Sequence, residues 1–249
     1  MFAAWEVGVW KALRRHFQPD CIVGASAGAW NGWVIAGGGD MEELTASWLD
    51  PSTATILQPD LHRAGFPQPD VLREKARELF ARFRPQVPFG LTVVEVPRLR
   101  QLLVRDSGIT WQHLAATCSI PFCFPPVRIE GKSYVDGGLL GALPLWAARE
   151  MGATRAIAVN ALTTLPFRAL RLGGAGLLAC LRAEGALRAL GRPGGPPHRP
   201  GADLEIVRIE PSTPLGSLRD AVRWSRTNIE RWIEQGERDA NRVCTSITM

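Results

Sequence analysis

The stretch Cys21-Ile22-Val23-Gly24-Ala25-Ser26-Ala27-Gly28 decides the fold. Its first three residues are apolar, as in a short buried parallel strand. A serine flanked by glycines follows, and an apolar segment of small residues continues to Ala36. This order of strand, tight turn and helix predicts a nucleophile elbow, in which Ser26 lies on a strained turn. Gly24 and Gly28 would leave the hydroxyl accessible, and the Ala27 N–H at the start of the helix would face a developing oxyanion. An ordinary strand-to-helix turn with a capping serine is the alternative.

Helices and strands alternate on both sides of this turn. Apolar periodicity predicts helices over 2–17, 42–49, 69–83 and 111–117, and a long amphipathic helix over 215–244. Strands are expected at 91–96, 155–159 and 204–209, with a hairpin formed by 127–129 and 133–135. The alternation favours a three-layer α/β/α fold with a mostly parallel central sheet. We expect a single domain over residues 1–249, with a flexible loop at 191–201, where glycine and proline are dense.

The composition is that of a folded globular domain. Of the 249 residues, 46% are hydrophobic and 21% are charged, which excludes a disordered chain, a collagen and a polytopic membrane protein. The net charge is +5, but the basic residues are scattered and form no nucleic-acid module, so no nucleic-acid partner is expected. A weak attraction to anionic lipid headgroups, and hence peripheral contact with a membrane surface, fits this charge.

The sequence also bears on the cellular compartment. No basic segment followed by an apolar run marks a signal peptide, and no uncharged stretch has membrane-spanning length. The five cysteines are odd in number and form no CxxC pair. They indicate buried free thiols in a reducing compartment rather than a disulfide framework or a zinc site. We therefore expect a cytoplasmic protein.

A serine hydroxyl needs a base to become a nucleophile, and Asp136 is the best placed candidate. Asp136 follows a strand-like segment and precedes Gly137 and Gly138, which let backbone or substrate approach closely. Burial would raise the proton affinity of such a carboxylate enough for it to act as a base. By turn statistics alone, Asp-Gly-Gly is a simple turn. The order Ser26, Asp136, His198 also matches an α/β-hydrolase triad, but His198 lies in a Gly- and Pro-rich segment that would aim a base poorly.

Two blocks of this sequence resemble the patatin-like phospholipases. The first runs from Val9 to Gly39 and contains the Gly-flanked serine. The second begins with Ser119-Ile120-Pro121-Phe122-Cys123-Phe124-Pro125-Pro126 and continues through Asp136-Gly137-Gly138 to Leu143-Pro144. The resemblance implies a three-layer fold and a Ser–Asp dyad without histidine, with Ser26 as nucleophile and Asp136 as general base. It also implies hydrolysis of an acyl ester, usually of a phospholipid or another lipid, through an acyl-enzyme and without a metal or a cofactor.

One part of the family pattern is missing. The family begins with a strand and a glycine-rich loop whose N–H groups form the oxyanion hole, whereas residues 1–9 here match what normally follows those glycines. Phe2 also stands where the family often has a basic residue. The hypothesis drawn from this is that the recorded chain begins at an internal Met codon, and that the natural protein has an upstream strand and loop.

Two functions therefore compete at this point. The first is a serine acyl hydrolase of lipid esters, of the phospholipase A or lysophospholipase type. The sequence does not separate these activities from those of a general esterase or an acyltransferase. The second is a catalytically impaired lipid- or protein-binding module, an interpretation that follows from the missing glycine-rich loop.

Overall fold

A computed structural model describes residues 1–57, 67–121, 123–162 and 204–247. The loop predicted at 191–201 lies outside the described residues. The helices are α1 (Ala3–Leu13), α2 (Ala27–Ala36), α3 (Met41–Leu49), α4 (Pro69–Arg82), α5 (Trp111–Thr117), α6 (Leu145–Glu150), α7 (Leu218–Val222) and α8 (Arg226–Ile247). The strands are β1 (Ile22–Gly24), β2 (Phe89–Val96), β3 (Arg100–Arg105), β4 (Val127–Ile129), β5 (Lys132–Asp136), β6 (Arg155–Val159) and β7 (Glu205–Ile209).

The central sheet is mixed. β1 runs parallel to β2, and β6 runs parallel to β7 in a separate two-stranded sheet. β2 is antiparallel to both β3 and β5, and β4 is antiparallel to β5. Among the described strands, the central sheet is therefore mixed rather than mostly parallel as expected. β2 with β3, and β4 with β5, are consecutive strands that form hairpins. Such strands are antiparallel, because a short turn can join antiparallel neighbours but not parallel ones. The sequence does not predict β3, because Arg100, Gln101 and Arg105 leave it only a short central apolar run.

β1 and β6 each have a single hydrogen-bonded neighbour among the described strands. β1 pairs with β2, and β6 pairs with β7. Helix α6 lies against β1, β2 and β6, and so bridges the two sheets. The described residues contain no counterpart of the first strand that the family resemblance implies.

Helices cover both faces of the sheet. Since side chains alternate along a strand, neighbouring residues of β2 show what lies on each face. Phe89 packs edge-on against Trp33 of α2 and lies next to Gly32. Gly90 faces Met151, directly after α6. This is the expected three-layer α/β/α arrangement, in which β2 lies between the helices.

The C-terminal helix α8 crosses α1 at very close range. A β-carbon added at Gly8 would lie 1.8 Å from the Ile233 carbonyl oxygen, and one at Gly236 would lie 2.0 Å from the Trp5 carbonyl oxygen. The two backbones approach this closely because glycine has no side chain. The Trp5 indole N–H donates to Asp239 at 3.0 Å across the same interface. The C-terminal residues are therefore packed firmly onto the first helix of the chain.

The helix expected over 215–244 is in fact two helices, α7 and α8. Ser217 and Asp220 form a capping box at the start of α7, and the Ser225 hydroxyl accepts from the Asn228 N–H at the start of α8. These two N-terminal caps divide one amphipathic pattern, and helical periodicity alone does not reveal the break. None of the helices in the described part of the chain combines the length and the apolar content that crossing a bilayer requires.

Candidate active site

Ser26 occupies the sharp turn between β1 and α2. Its backbone has φ 54° and ψ −136°, a conformation that residues other than glycine rarely adopt. Such a conformation costs about 1–3 kcal/mol and persists only where the surrounding structure holds it. The residue is half-buried, so part of its surface remains open to solvent. The strand, turn and helix expected around this serine are thus present.

The two glycines that flank the serine have different surroundings. A β-carbon added at Gly24 would lie 2.5 Å from the Ala29 α-carbon, so a larger residue would separate β1 from α2. A β-carbon at Gly28 would meet the Glu6 carboxylate at 3.4 Å, which is close to an ordinary contact. Among the described atoms, close packing therefore explains Gly24 but does not explain Gly28.

The first turn of α2 offers backbone donors beside the serine. The Ala29 N–H already donates to the Ser26 carbonyl at 2.9 Å. The N–H groups of Ala27 and Gly28 have no acceptor within the helix, because they precede its first hydrogen-bonded turn. The positive end of the helix dipole lies at the same place. Negative charge that forms beside Ser26 would be stabilised here, as the expected role of Ala27 requires.

Asp136 stands at the end of β5, opposite Val93 of β2. Its N–H donates to the Ser119 carbonyl at 3.0 Å. Oδ1 accepts from the Gly138 N–H at 2.7 Å, and Oδ2 accepts from the Ser26 hydroxyl at 2.6 Å. The structure therefore brings together the two side chains that the sequence analysis selects, which are 110 residues apart in the chain.

The residues after Asp136 fix its position. A β-carbon added at Gly137 would lie 2.1 Å from the Thr92 carbonyl oxygen, so only glycine fits between β5 and β2 at this point. Gly138 supplies the N–H that binds Asp136 Oδ1. The Asp-Gly-Gly sequence is indeed a turn, as its composition indicates, and the same turn holds the carboxylate.

Burial changes the proton affinity of Asp136. The residue is 5% exposed, and its removal from water raises the pKa of this carboxyl from 3.8 to about 6. The hydrogen bonds from the Ser26 hydroxyl and the Gly138 N–H oppose this change of pKa, because they stabilise the ionised form. At neutral pH the carboxylate is ionised, yet it accepts a proton more readily than a carboxylate in water. A general base needs this property.

Two further side chains meet Ser26, and the sequence analysis selects neither of them. The Thr117 hydroxyl accepts a hydrogen bond from the Ser26 N–H at 2.9 Å. The Cys118 thiol lies near both the Ser26 side chain and the Asp136 carboxylate. Burial and the nearby Asp136 carboxylate hold the pKa of this thiol well above 9, so the thiol stays protonated. The available signal is the polar triplet Thr-Cys-Ser at 117–119, which begins at the last residue of α5.

A second carboxyl lies behind the elbow. Asn31 of α2 donates to Glu6 Oε2 and to the Ala3 carbonyl, both at 3.0 Å. Burial of the carboxyl group raises the pKa of Glu6 to about 7, against the lowering effect of the Asn31 hydrogen bond. Glu6 therefore ties α1 to α2. A single acid within the apolar run 2–9 is the sequence signal for it.

The two described histidines have other contacts. His16 is exposed after the end of α1. His113 caps α5, where its Nδ1 accepts from the Thr110 N–H at 3.2 Å. His62 and His198 lie outside the described residues, so the alternative triad with His198 stays a prediction.

The structure also locates four of the five cysteines. Cys21, Cys118 and Cys123 are half-buried free thiols, whereas Cys244 is buried. Cys180 lies outside the described residues. In the ranges that the structure covers, no group of three or more His, Cys, Asp or Glu side chains is placed to hold a metal ion.

Comparison with known proteins adds the family. The model of the patatin-like phospholipase family matches residues 1–149, which include both Ser26 and Asp136. This chain belongs to the patatin-like phospholipase family. The membership confirms the resemblance seen in the sequence.

Relatives of this patatin-like chain match parts of it. An uncharacterized NTE family protein of Mycobacterium tuberculosis is 28% identical over 162 residues, which are 62% of this chain and 44% of that protein. The lysophospholipase NTE1 of Debaryomyces hansenii is 33% identical over 57 residues, which are 23% of this chain and 4% of that protein. The chain therefore spans less than half the length of either relative. Among solved structures, VipD from Legionella pneumophila matches with a TM-score of 0.49 and 13% identity, over 98% of this chain and 65% of that one.

Proposed function

We propose that this patatin-like protein is a serine acyl hydrolase of lipid esters, with Ser26 as nucleophile and Asp136 as general base. The observation that carries the proposal is the 2.6 Å hydrogen bond from the Ser26 hydroxyl to Asp136 Oδ2. A base must lie within such a distance of the proton that it removes. The raised pKa of Asp136, about 6, supports the same assignment because it favours proton uptake near neutral pH.

Acylation begins with attack by Ser26 Oγ on the ester carbonyl carbon. As the Oγ–C bond forms, the hydroxyl proton passes to Asp136 Oδ2, along the hydrogen bond that already joins them. The carbonyl oxygen becomes an oxyanion, which the N–H of Ala27 and the N-terminus of α2 stabilise. The bond to the alcohol then breaks, the alcohol takes the proton from Asp136, and the acyl group remains on Ser26.

Deacylation repeats these steps with water. Asp136 accepts a proton from a water molecule while the oxygen of that water attacks the acyl carbon. When the second tetrahedral intermediate collapses, the bond to Oγ breaks and Ser26 recovers a proton from Asp136. A free carboxylic acid leaves. Neither half of the cycle requires a histidine, a metal or a cofactor.

Family membership and the named relatives support lipid esters as the substrate class. One relative carries the name lysophospholipase, over a segment of 57 residues. A phospholipid or lysophospholipid ester is therefore the first substrate to test. Such a substrate resides in a membrane or micelle, so peripheral contact with a lipid surface, from the cytoplasmic side, is part of the proposal.

We further propose that the whole chain forms one domain, although the family model ends at residue 149. The support is the packing of α8 on α1. Gly8 and Gly236 allow the two backbones to touch, and Trp5 is bonded to Asp239 across the interface. Separating the C-terminal part would expose this buried interface to water.

A fluorophosphonate probe tests the proposed chemistry, because it reacts only with an activated serine. The wild type should be labelled at Ser26 and should hydrolyse a phospholipid or lysophospholipid. Ser26→Ala should abolish both, and Asp136→Asn should slow both by at least about 100-fold. Ser133→Ala, which removes a half-buried serine from β5, is the matched control and should react as the wild type does. A folded wild type that the probe does not label would refute the proposal.

The second candidate is a lipid- or protein-binding module without turnover. This alternative predicts binding to phospholipid vesicles that survives both Ser26→Ala and Asp136→Asn, with no hydrolysis by the wild type. Hydrolysis that these two variants lose would exclude it.

A further inference from the structure

The strained backbone of Ser26 is held by one particular side chain. With φ 54° and ψ −136°, Ser26 would relax to an ordinary conformation unless its neighbours opposed the change. Its N–H cannot bond within α2, because Ser26 precedes the first residue of that helix. The N–H instead donates to Thr117 Oγ1 at 2.9 Å.

The Thr117 hydroxyl donates one hydrogen bond and accepts another. Oγ1 donates its only proton to the Thr92 carbonyl of β2 at 2.9 Å. A hydroxyl has one proton and two lone pairs, so Oγ1 can meet the Ser26 N–H only as an acceptor. Thr92 and Thr117 are both fully buried, which leaves no water to replace either bond. The hydroxyl thus links the nucleophile turn to the central strand.

The same short segment also holds Asp136. Two residues after Thr117, the Ser119 carbonyl accepts from the Asp136 N–H at 3.0 Å. Residues 117–119 therefore contact the backbone of both members of the Ser26–Asp136 pair, one through a side chain and the other through a carbonyl.

We propose that Thr117 is a positioning residue of this active site, whose hydroxyl holds the strained Ser26 backbone so that Oγ stays within hydrogen-bond distance of Asp136. The proposal rests on the function proposed above for Ser26 and Asp136. Thr117 itself touches no reacting atom and acts only through the Ser26 amide.

The test compares Thr117→Val with Thr117→Ser. Valine has almost the same shape but no hydroxyl, so it leaves the Ser26 N–H and the Thr92 carbonyl without a partner. We expect Thr117→Val to lower kcat by about 10- to 100-fold with KM unchanged, because a displacement of about 1 Å at a reacting atom has an effect of this size. Thr117→Ser keeps the hydroxyl and should retain kcat within about threefold.

Thr53→Val is the matched control for a purely structural effect. Thr53 is also a buried threonine, and its hydroxyl donates to the Ser47 carbonyl away from the elbow. Thr53→Val should lower the melting temperature without lowering kcat for the folded protein. Equal kcat values for Thr117→Val and the wild type would overturn the proposal, as would a loss of kcat in Thr117→Ser as large as that in Thr117→Val. If Thr117→Val does not fold, Thr117→Ala takes its place with the same expectations.

A crystal structure of Thr117→Val separates this proposal from the proposed function. We expect φ of Ser26 to leave the positive region and the Oγ–Oδ2 distance to exceed about 3.5 Å, beyond hydrogen bonding. An unchanged Ser26 would overturn the positioning role whether or not the wild type hydrolyses esters. If the wild type reacts with no fluorophosphonate but Ser26 moves in the variant, the positioning role stands and the hydrolase function fails.

Discussion

The stability of Asp136→Asn relative to the wild type should rise between pH 4 and pH 7.5, while the substitution removes the base. The pKa of Asp136 is about 6 in the folded protein, against 3.8 for an unperturbed aspartate, because burial disfavours its charge. The folded state therefore binds this proton more tightly than the unfolded chain does. Stability from this group is greatest below about pH 4, falls as the pH rises from about 4 to 6, and is constant above that range.

The size of the effect follows from the two pKa values. A change of about two units corresponds to about 3 kcal/mol at 25 °C. Asparagine carries no charge at any pH and has the shape of the protonated carboxyl. The variant therefore does not lose the free energy that the wild type loses when the buried Asp136 ionises. We expect the free energy of unfolding of Asp136→Asn, minus that of the wild type, to increase by about 2–3 kcal/mol between pH 4 and pH 7.5.

Urea unfolding followed by tryptophan fluorescence measures this difference at both pH values. Subtracting the wild-type free energy of unfolding cancels the contributions of the other titrating groups. These include Glu6, whose pKa is also raised, to about 7. Asp70→Asn, which removes an exposed carboxylate on α4, controls for the loss of one negative charge. A variant that differs from the wild type by the same free energy at pH 4 and pH 7.5 would show that burial does not raise the pKa of Asp136.

Three further predictions concern the same structure. The kcat/KM of ester hydrolysis should rise with pH to a plateau with an apparent pKa of about 6, since the base must be ionised, and a profile flat from pH 5 to 8 would exclude Asp136 as that base. Gly137→Ala should destabilise the protein by about 1–3 kcal/mol in urea unfolding, because its β-carbon would lie 2.1 Å from the Thr92 carbonyl oxygen. Gly108→Ala is the control, since its β-carbon would meet no atom nearer than 3.9 Å, and it should change the free energy of unfolding by less than about 1 kcal/mol. Gly236→Ala should lower the melting temperature by several degrees in calorimetry, because it separates α8 from α1, and an unchanged melting temperature would contradict the close crossing.

Local patterns explain which parts of the fold were predictable. Short apolar runs and glycines around Ser26 define a strand, a turn and a helix within about fifteen residues, and the structure has all three. Helix α5 and strand β6 likewise occur where the apolar periodicity predicts them. The antiparallel strand β3 escapes prediction, because its pairing with β2 follows from the turn between them and not from a long apolar run of its own.

The candidate site divides in the same way. Ser26 and Asp136 stand out in the sequence because each has a distinctive glycine pattern next to it. Thr117 has no such pattern, and its contact with the Ser26 amide becomes visible only when residues 91 positions apart are adjacent in space. The same is true of Glu6, whose partner Asn31 lies on a different helix.

The amino-acid sequence by itself determined the elbow, the choice of serine and aspartate, and the family, because these depend on residues that are neighbours along the chain. Only the tertiary structure decided the directions of the paired strands, the close crossing of α1 and α8, and the contact of the Ser26 hydroxyl with Asp136. The raised pKa of Asp136 also belongs to the tertiary structure, because burial depends on which distant residues exclude water from the carboxyl.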